Sequence, residues 1–478
     1  MPKNTISSFS GQTNFTNNKS IGKTFSMKCS GFVFVGYILL GLQCVSNTQV
    51  AAQVNYPGKQ WQVYQDPGEI GWSVEKLKTS RQYADSIGLA AVMIIYNGAV
   101  LSHWGDIERK YFVHSMRKSF LNALYGMSER DGKLSLDETL EQLHIDDAVN
   151  PLNKQEKQAT VKELLQSRSG IFLPAAYEGN PEKPKRGSHA HGTFWLYNNW
   201  DFNVLGTILE QKTGRRFFDD LRERLAKPLT MEDVDSLDAN YVHEPKRSQH
   251  AAYTFKMSTR DLARFGWLYA SNGLWKGKQL IPKTWIEEST KPYSMSDDGL
   301  GLGYGYLWWV DQTIFKERGM YSAAGMGGHH IFVFPKDSMV VVVRADTYKM
   351  KFVPLNAEYQ FLSKILEAKE DKAVTSKPKL GLLPSVSQKS RPAYQSESDQ
   401  NRYVGFYQFE GEWMKVIRGR NGLLMETEFM GTLYLQPVNE SLFLIKDQEN
   451  YVSFIFDKSG KAIRLIYHDK SIESNSKQ

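Results

Sequence analysis

The chain has 478 residues, 41% hydrophobic and 23% charged, values that suit a globular protein with one large domain and a smaller one. Its formal net charge of +7 overstates its basicity: residues 1–52 carry Lys3, Lys19, Lys23 and Lys28 and no acid, and setting these four aside leaves 55 basic against 52 acidic residues, too even a balance for a nucleic-acid surface. Both cysteines, Cys29 and Cys44, lie in the same stretch, which excludes a disulfide framework or a Cys-based metal site from the remainder.

Residues 31–42 read GFVFVGYILLGL, short of the roughly 20 residues a membrane-spanning helix needs. With Lys28 before it and Val50-Ala51-Ala52 after it, the run reads as the apolar core of a signal peptide cleaved after Ala52. A translation start at Met27 gives that signal an ordinary length. The expectation is a presegment, 1–52, that touches the membrane only during export to the periplasm or the outside. An uncleaved membrane anchor is the alternative; lipidation of Cys44 is disfavoured by the bulky Gln43 before it.

Residues 56–368 read as the main domain. A helix is predicted over 74–87, from Val74, Leu77, Ala84 and Ile87 at helical spacing. The runs AAVMIIY and AVLSHW flank Asn97-Gly98, a strong hairpin signal. A helix over 119–131 carries Phe120, Leu121, Leu124 and Met127 on one stripe. FNVLGTILEQKTG reads as a helix that ends near Gly214, and HIFVF and MVVVVR form a second hairpin about Pro335-Lys336-Asp337. Strands at both ends with helices between predict an α+β fold: an antiparallel sheet flanked by helices, with an inserted helical region. Residues 369–396, rich in Lys, Ser and Pro, read as a linker. Over 397–478, seven short apolar runs (YVGFYQF, WMKVI, LLMET, LYLQPV, LFLI, YVSFIF, AIRLIY) broken at turns such as Asn421-Gly422 and Ser459-Gly460 predict a small all-β domain.

A serine hydroxyl needs a base within reach and donors for the developing oxyanion. Ser-x-x-Lys at a helix start supplies both, because positions i and i+3 share a face and first-turn N–H groups are unpaired. The pattern occurs at Ser20, Ser73, Ser115, Ser376 and Ser474. Ser20 lies in the presegment, Ser474 at the C-terminus, and Ser376 has Pro378 inside the motif. Ser73 opens an amphipathic helix, where capping is the plainer role. Ser115-Met116-Arg117-Lys118 alone opens a strongly apolar helix after a hairpin; against the functional reading stand an N-cap serine and a solvated lysine. Tyr197-Asn198-Asn199, the sole Tyr-x-Asn, sits in a polar loop before a helix: Tyr197 can relay the serine proton and Asn199 can orient substrate or lysine, or the pair is a packing aromatic and a cap. Ala323-Ala324-Gly325-Met326-Gly327-Gly328 leads into a strand, where a glycine edge admits substrate to the backbone and Met326 can offer an oxyanion N–H; a plain glycine loop is the competing role.

In that order, the three motifs resemble those of the serine β-lactamase and penicillin-binding-protein superfamily, most of all its class C-like branch, which includes esterases, D-aminopeptidases and oligoamide hydrolases. LLQSRSGI (164–171), STRDLARFGWLY (258–269) and GMGGHHIFVFPKDSMVVVV (325–343) are similar to family stretches too. The resemblance covers about 56–368, and the C-terminal segment is similar to the β domain often appended to such hydrolases. It implies that Ser115 is the acylated serine, Lys118 its paired lysine, Tyr197 and Asn199 the second motif, and Gly325 the glycine of the third. The family's Lys or His two positions before that glycine is Ala323 here, which points away from β-lactam hydrolysis toward a substrate without a carboxylate at that point.

The expected activity is two-step acyl transfer on a small ester, amide or peptide-like substrate, with Lys118 or Tyr197 as base, Ser115 and Met326 N–H groups as oxyanion donors, and no metal or organic cofactor. A non-catalytic penicillin-binding-like sensor or binding protein on the same fold is the alternative. His189-Ala190-His191 and His329-His330 lack the partners and spacing of a metal site, although His329 directly follows the glycine motif. No Gly-x-Ser-x-Gly elbow is present, which argues against an α/β-hydrolase. Trp195 and Trp308-Trp309 are candidates for a cleft wall or for core.

Overall fold

The computed structural model describes residues 55–178, 182–232, 239–296, 299–349, 351–372, 377–384, 400–409, 412–419, 422–427, 431–438, 440–446 and 450–468. The presegment with its cysteines, Ser20, Ser376, Ser474 and Asn421 lie outside the described residues.

The fold is α+β. Ser73 caps helix Val74–Ser86 by accepting from the Lys76 N–H at 3.4 Å, the plain role of that Ser-x-x-Lys copy. Strands Leu89–Tyr96 and Ala99–Gly105 follow, joined by Asn97 (φ 48°) and Gly98 (φ 79°), the two left-handed residues that a type I′ turn requires. A ten-stranded sheet runs, in spatial order, Leu380–Leu382, Gln62–Tyr64, Ala99–Gly105, Leu89–Tyr96, Met339–Ala345, His329–Phe334, Tyr321–Gly325, Trp309–Asp311, Leu302–Tyr304 and Ser294–Met295. Its centre thus joins strands from both ends of the domain. Neighbours are antiparallel except Gln62–Tyr64 beside Ala99–Gly105.

Period-2 alternation sorts the two faces. Val92, Ile94, Val341 and Val343 pack with Phe361, Leu362 and Ile365 of helix Leu355–Glu367 and with Leu77 and Ala84 of Val74–Ser86. Met93, Ile95, Val340 and Val342 face the inserted helical layer, which contributes Phe120, Leu121 and Leu124 from helix Arg117–Arg130 and Val204, Leu205 and Ile208 from helix Asn199–Thr213. The latter ends where expected, with Gly214 at φ 68° as its left-handed C-cap.

One part of the chain departs from expectation. Within 369–396, read as a linker, Leu380–Leu382 pairs with Gln62–Tyr64 and closes one sheet edge. The Glu370 N–H also donates to Gly71 O at 2.8 Å. A three-residue edge strand is too short to display an apolar period among lysines and prolines.

The seven apolar runs after residue 400 become the seven strands of a second sheet, Gly405–Phe409 through Ala462–His468, each paired antiparallel with the next. Leu423, Met425, Leu433, Leu435, Phe443, Ile445, Val452 and Phe454 turn inward to one core, and the first and last strands come back alongside each other in a barrel-like curl.

Candidate active site

Ser115 lies in the 3₁₀ turn His114–Met116 that runs into helix Arg117–Arg130. It caps nothing: the start of that helix has no side-chain cap bond. From Tyr111 to Ser128 every residue is buried except Ser115, which is half-buried. The turn is held from several sides. The Arg344 guanidinium donates to Phe112 O at 2.8 Å, the Phe112 N–H to Tyr348 Oη at 3.1 Å, and the Val113 N–H to Phe255 O at 3.1 Å. His114, before the serine, has φ 46°, a left-handed conformation that costs a non-glycine residue about 1–2 kcal/mol and persists because the surroundings over-determine it.

Lys118 Nζ is 2.8 Å from Ser115 Oγ and 2.6 Å from Tyr197 Oη. The lysine is 2% exposed, and its amine lies over the rings of Tyr197 and Phe202 at 4.4 and 4.6 Å. Burial first, then the neighbouring Arg117 charge, holds this amine well below the usual lysine range, while Glu178 opposes. Burial pushes the Tyr197 phenol up to about 12, with its bond to Ser115 and the Arg117 charge opposing. The site therefore sets an amine biased toward its unprotonated form and a phenol biased toward its protonated form against one serine hydroxyl, an arrangement that can move a proton off Ser115.

The second motif divides its labour. Tyr197 stacks on Trp309 at 5.5 Å. Asn198, not Asn199, caps helix Asn199–Thr213, accepting from the Trp200 N–H at 3.4 Å. The Asn199 amide donates to Tyr177 O at 3.1 Å and to Glu178 Oε1 at 3.4 Å, so it holds the loop that brings Glu178 toward the lysine. Below it, Asp201 accepts from Ser169 Oγ at 2.6 Å and Asn198 Nδ2 at 2.8 Å; burial raises its carboxyl to about 8.

The third motif ends strand Tyr321–Gly325. Trp309–Asp311 pairs with only Ser322 and Tyr321 of that strand, so Ala323 to Gly325 run past the end of this pairing. Gly325 abuts the turn that carries Ser115: a Cβ there would lie 2.8 Å from Val113 O, an approach that only glycine permits. Met326 follows, 46% exposed. Ala323, 1% exposed, faces the helical layer.

The remaining candidates sort by burial. Trp308 is core, its indole directed at Asn122, whereas Trp195 and Trp309 surround Tyr197 and Tyr304. His329 is fully buried beneath the site, receiving the Arg344 Nε donor at 2.9 Å and stacking on His114 at 5.4 Å. His191 meets Glu163 at 2.8 Å and His189 stacks on Phe194. Among the described residues no group of three or more His, Cys, Asp or Glu could hold a metal ion.

Sequence reasoning missed three charged groups. The Arg117 guanidinium lies between the Tyr177 and Tyr253 rings, 5.4 Å from each centre, and Glu178 pairs with Lys183 at 2.7 Å. Arg117 stood inside the Ser-x-x-Lys motif, where a cation beside the lysine was a usable signal. Glu178 and Lys183 carried none.

A sheet backed by two helices, with Ser-x-x-Lys, a tyrosine and a glycine strand meeting beside an inserted helical layer, defines the fold class of serine β-lactamases and penicillin-binding proteins. The β-lactamase family model matches residues 78–362, and the chain belongs to that family, one of serine hydrolases. An uncharacterised protein of Alkalihalophilus pseudofirmus is 21% identical over 312 residues, 56% of this chain and 87% of that protein. The 6-aminohexanoate-dimer hydrolase of Paenarthrobacter ureafaciens is 28% identical over 165 residues, 33% of this chain and 40% of the hydrolase. An octameric penicillin-binding protein homologue from Pyrococcus abyssi superposes with a TM-score of 0.47 at 16% identity, covering 80% of this chain and 96% of that one.

Proposed function

We propose that the protein is an exported serine hydrolase that cleaves an ester or amide bond through an acyl-enzyme on Ser115. The observation that carries this reading is the Lys118 amine, buried and lodged between two hydroxyls, 2.8 Å from Ser115 Oγ and 2.6 Å from Tyr197 Oη.

The unprotonated Lys118 amine takes the Ser115 proton as Oγ attacks the carbonyl carbon. The Ser115 and Met326 N–H groups receive the oxyanion. Collapse of the tetrahedral intermediate expels the alcohol or amine, which takes a proton delivered through Tyr197. Water then attacks the acyl-enzyme, with the lysine–tyrosine pair again removing a proton, and Ser115 regains its hydrogen. The serine, amine and phenol form one chain of hydrogen-bond contacts for these proton transfers, so the proposed reaction calls on no metal or organic cofactor.

A substrate carboxylate would meet Ala323, not a cation, at the third motif. This supports a substrate uncharged there, with amides the first class to try, in line with the 6-aminohexanoate dimer in the name of the Paenarthrobacter relative, and β-lactams the last. The apolar run at 31–42, Lys28 before it and Ala51-Ala52 after it support export; mass spectrometry of the mature protein is expected to find an N-terminus after Ala52, and an intact Met1 in cell extracts would overturn that part.

The chemistry is tested with a fluorophosphonate probe and a panel of linear oligoamides, D-amino acid amides, short-chain esters and a chromogenic lactam. Wild type is expected to be labelled and to turn over at least one non-lactam class, Ser115→Ala to do neither, and Lys118→Met and Tyr197→Phe to lose about 100- to 10,000-fold in kcat. Labelling of a folded Ser115→Ala protein equal to wild type would refute the assignment. Acylation of Ser115 with no turnover of any substrate would instead favour the penicillin-binding-like sensor.

A further inference from the structure

The core of the C-terminal sheet contains residues of the hydrolase domain. Tyr111, Phe112 and Tyr348 are buried in it beside Met414, Leu433 and Leu435. Tyr111 and Tyr348 stack at 5.5 Å, with Phe112 edge-on to Tyr348 at 6.4 Å. Asn240 of the main domain also donates to Thr432 Oγ1 at 3.3 Å. The contact is tightest at Gly431 (φ 64°), where a Cβ would lie 2.7 Å from Phe112 Cζ and 2.8 Å from its Cε1. The ring has little room to give: it is 3% exposed, and Tyr348, His114 and the Lys256 amine press on it.

Phe112 stands three residues before Ser115. Its carbonyl is fixed by Arg344 and its N–H by Tyr348. Val113 O, next along, meets Gly325, and also accepts from the Met116 N–H at 3.0 Å to close the nucleophile turn. A displaced Phe112 ring therefore moves the backbone that aims Ser115 at Lys118.

We propose that the C-terminal β domain is a positioning element for the nucleophile, clamping Tyr111–Phe112 through Gly431 so that the turn bearing Ser115 is held in its reactive geometry. This inference rests on the reading of Ser115 as the acylated residue. Phe112 and Gly431 touch no substrate; they act through the turn. A misplacement of the reacting oxygen by about 1 Å can lower turnover by about 100-fold, so a small shift suffices.

The test uses the full chain. Gly431→Ala is expected to lower kcat and the rate of fluorophosphonate acylation by about tenfold or more, with KM within about threefold of wild type, since the cleft itself is untouched. Gly460→Ala is the control: it is also a left-handed glycine of the β domain, at φ 81°, but a Cβ there meets nothing nearer than Arg402 Nη2 at 4.0 Å; it carries the same backbone strain and is expected to keep wild-type kcat. Adding Phe112→Leu to Gly431→Ala makes room for the new methyl and is expected to recover most of the loss. A folded Gly431→Ala enzyme with wild-type kcat, an equal loss in Gly460→Ala, or no recovery with Phe112→Leu would each overturn the clamp. Should Gly431→Ala not fold, Phe112→Ala decides, since it removes the ring that Gly431 grips: a lowered kcat of the folded variant at unchanged KM supports the proposal, and a wild-type kcat overturns it. Failure of the probe to label wild type would defeat the hydrolase reading itself, a result distinct from all of these.

Discussion

A lysine amine 2.8 Å from a serine oxygen serves as a base only when it carries no proton at working pH. Burial, and Arg117 beside it, hold the Lys118 amine well below the usual lysine range and so favour that condition, with Glu178 pulling the other way. Two further ionisable neighbours add little charge near neutrality: burial, together with Arg344, Arg117 and Lys118, pushes the His114 ring down to about 3, and burial pushes the Tyr197 phenol up to about 12. In the proposed mechanism the active form is the unprotonated amine, so activity is expected to rise with pH through the lowered lysine value, which would form the acid limb of the profile. Removing a neighbouring positive charge makes Lys118 easier to protonate, so Arg117→Gln is expected to move that limb to higher pH and to lower kcat/KM on its acid side. Removing the negative charge with Glu178→Gln is expected to move the limb to lower pH. Profiles of kcat/KM for the two variants decide: limbs that move in the same direction, or do not move, would show that these charges do not set the base.

At the scale of elements, strand Tyr321–Gly325 meets the turn that carries Ser115 with no room between them. Gly325→Ala inserts a methyl 2.8 Å from Val113 O, so one of the two must yield. The expected cost is about 1–3 kcal/mol of stability, as for other overpacked sites, together with a fall in acylation rate. Urea unfolding and probe labelling measure the two separately; a variant with wild-type values for both would show the approach to be slack. Most elements were legible because their signals are local. The Asn97-Gly98 turn, the Gly214 cap and the seven C-terminal strands each follow from residues a few positions apart. Leu380–Leu382 was not, because its pairing partner, Gln62–Tyr64, lies over three hundred positions away in the chain. The Asn199 Nδ2 donates to Tyr177 O and Glu178 Oε1, a loop contact that no spacing encodes.

For the whole molecule, the buried seam of Tyr111, Phe112 and Tyr348 ties two sheets that composition had set apart by a linker. Shared core means shared stability, so calorimetry is expected to find one cooperative unfolding transition. Phe112→Ala, which empties a buried ring site, is expected to cost about 3–5 kcal/mol and to lower the midpoints seen by the exposed Trp413 of the C-terminal sheet and by the tryptophans of the main domain together. Two separated transitions in the wild type would show that the sheets fold independently and that the seam is incidental.

The sequence by itself determined what contiguous residues can determine: a serine and a lysine one helical turn apart, hairpins from paired left-handed residues, a β domain from seven alternating runs, and the likeness of three motifs to one family. Only the tertiary structure decided that Tyr197, 79 positions beyond Lys118, reaches its amine, that Arg117 and Glu178 bias that amine from opposite sides, and that the C-terminal sheet grips the turn before Ser115. The reason is physical. Periodicity and turn chemistry act through neighbouring backbone dihedrals and are written in the order of residues, whereas burial, charge and close contact at a site depend on which distant side chains the packed sheets bring within a few ångströms.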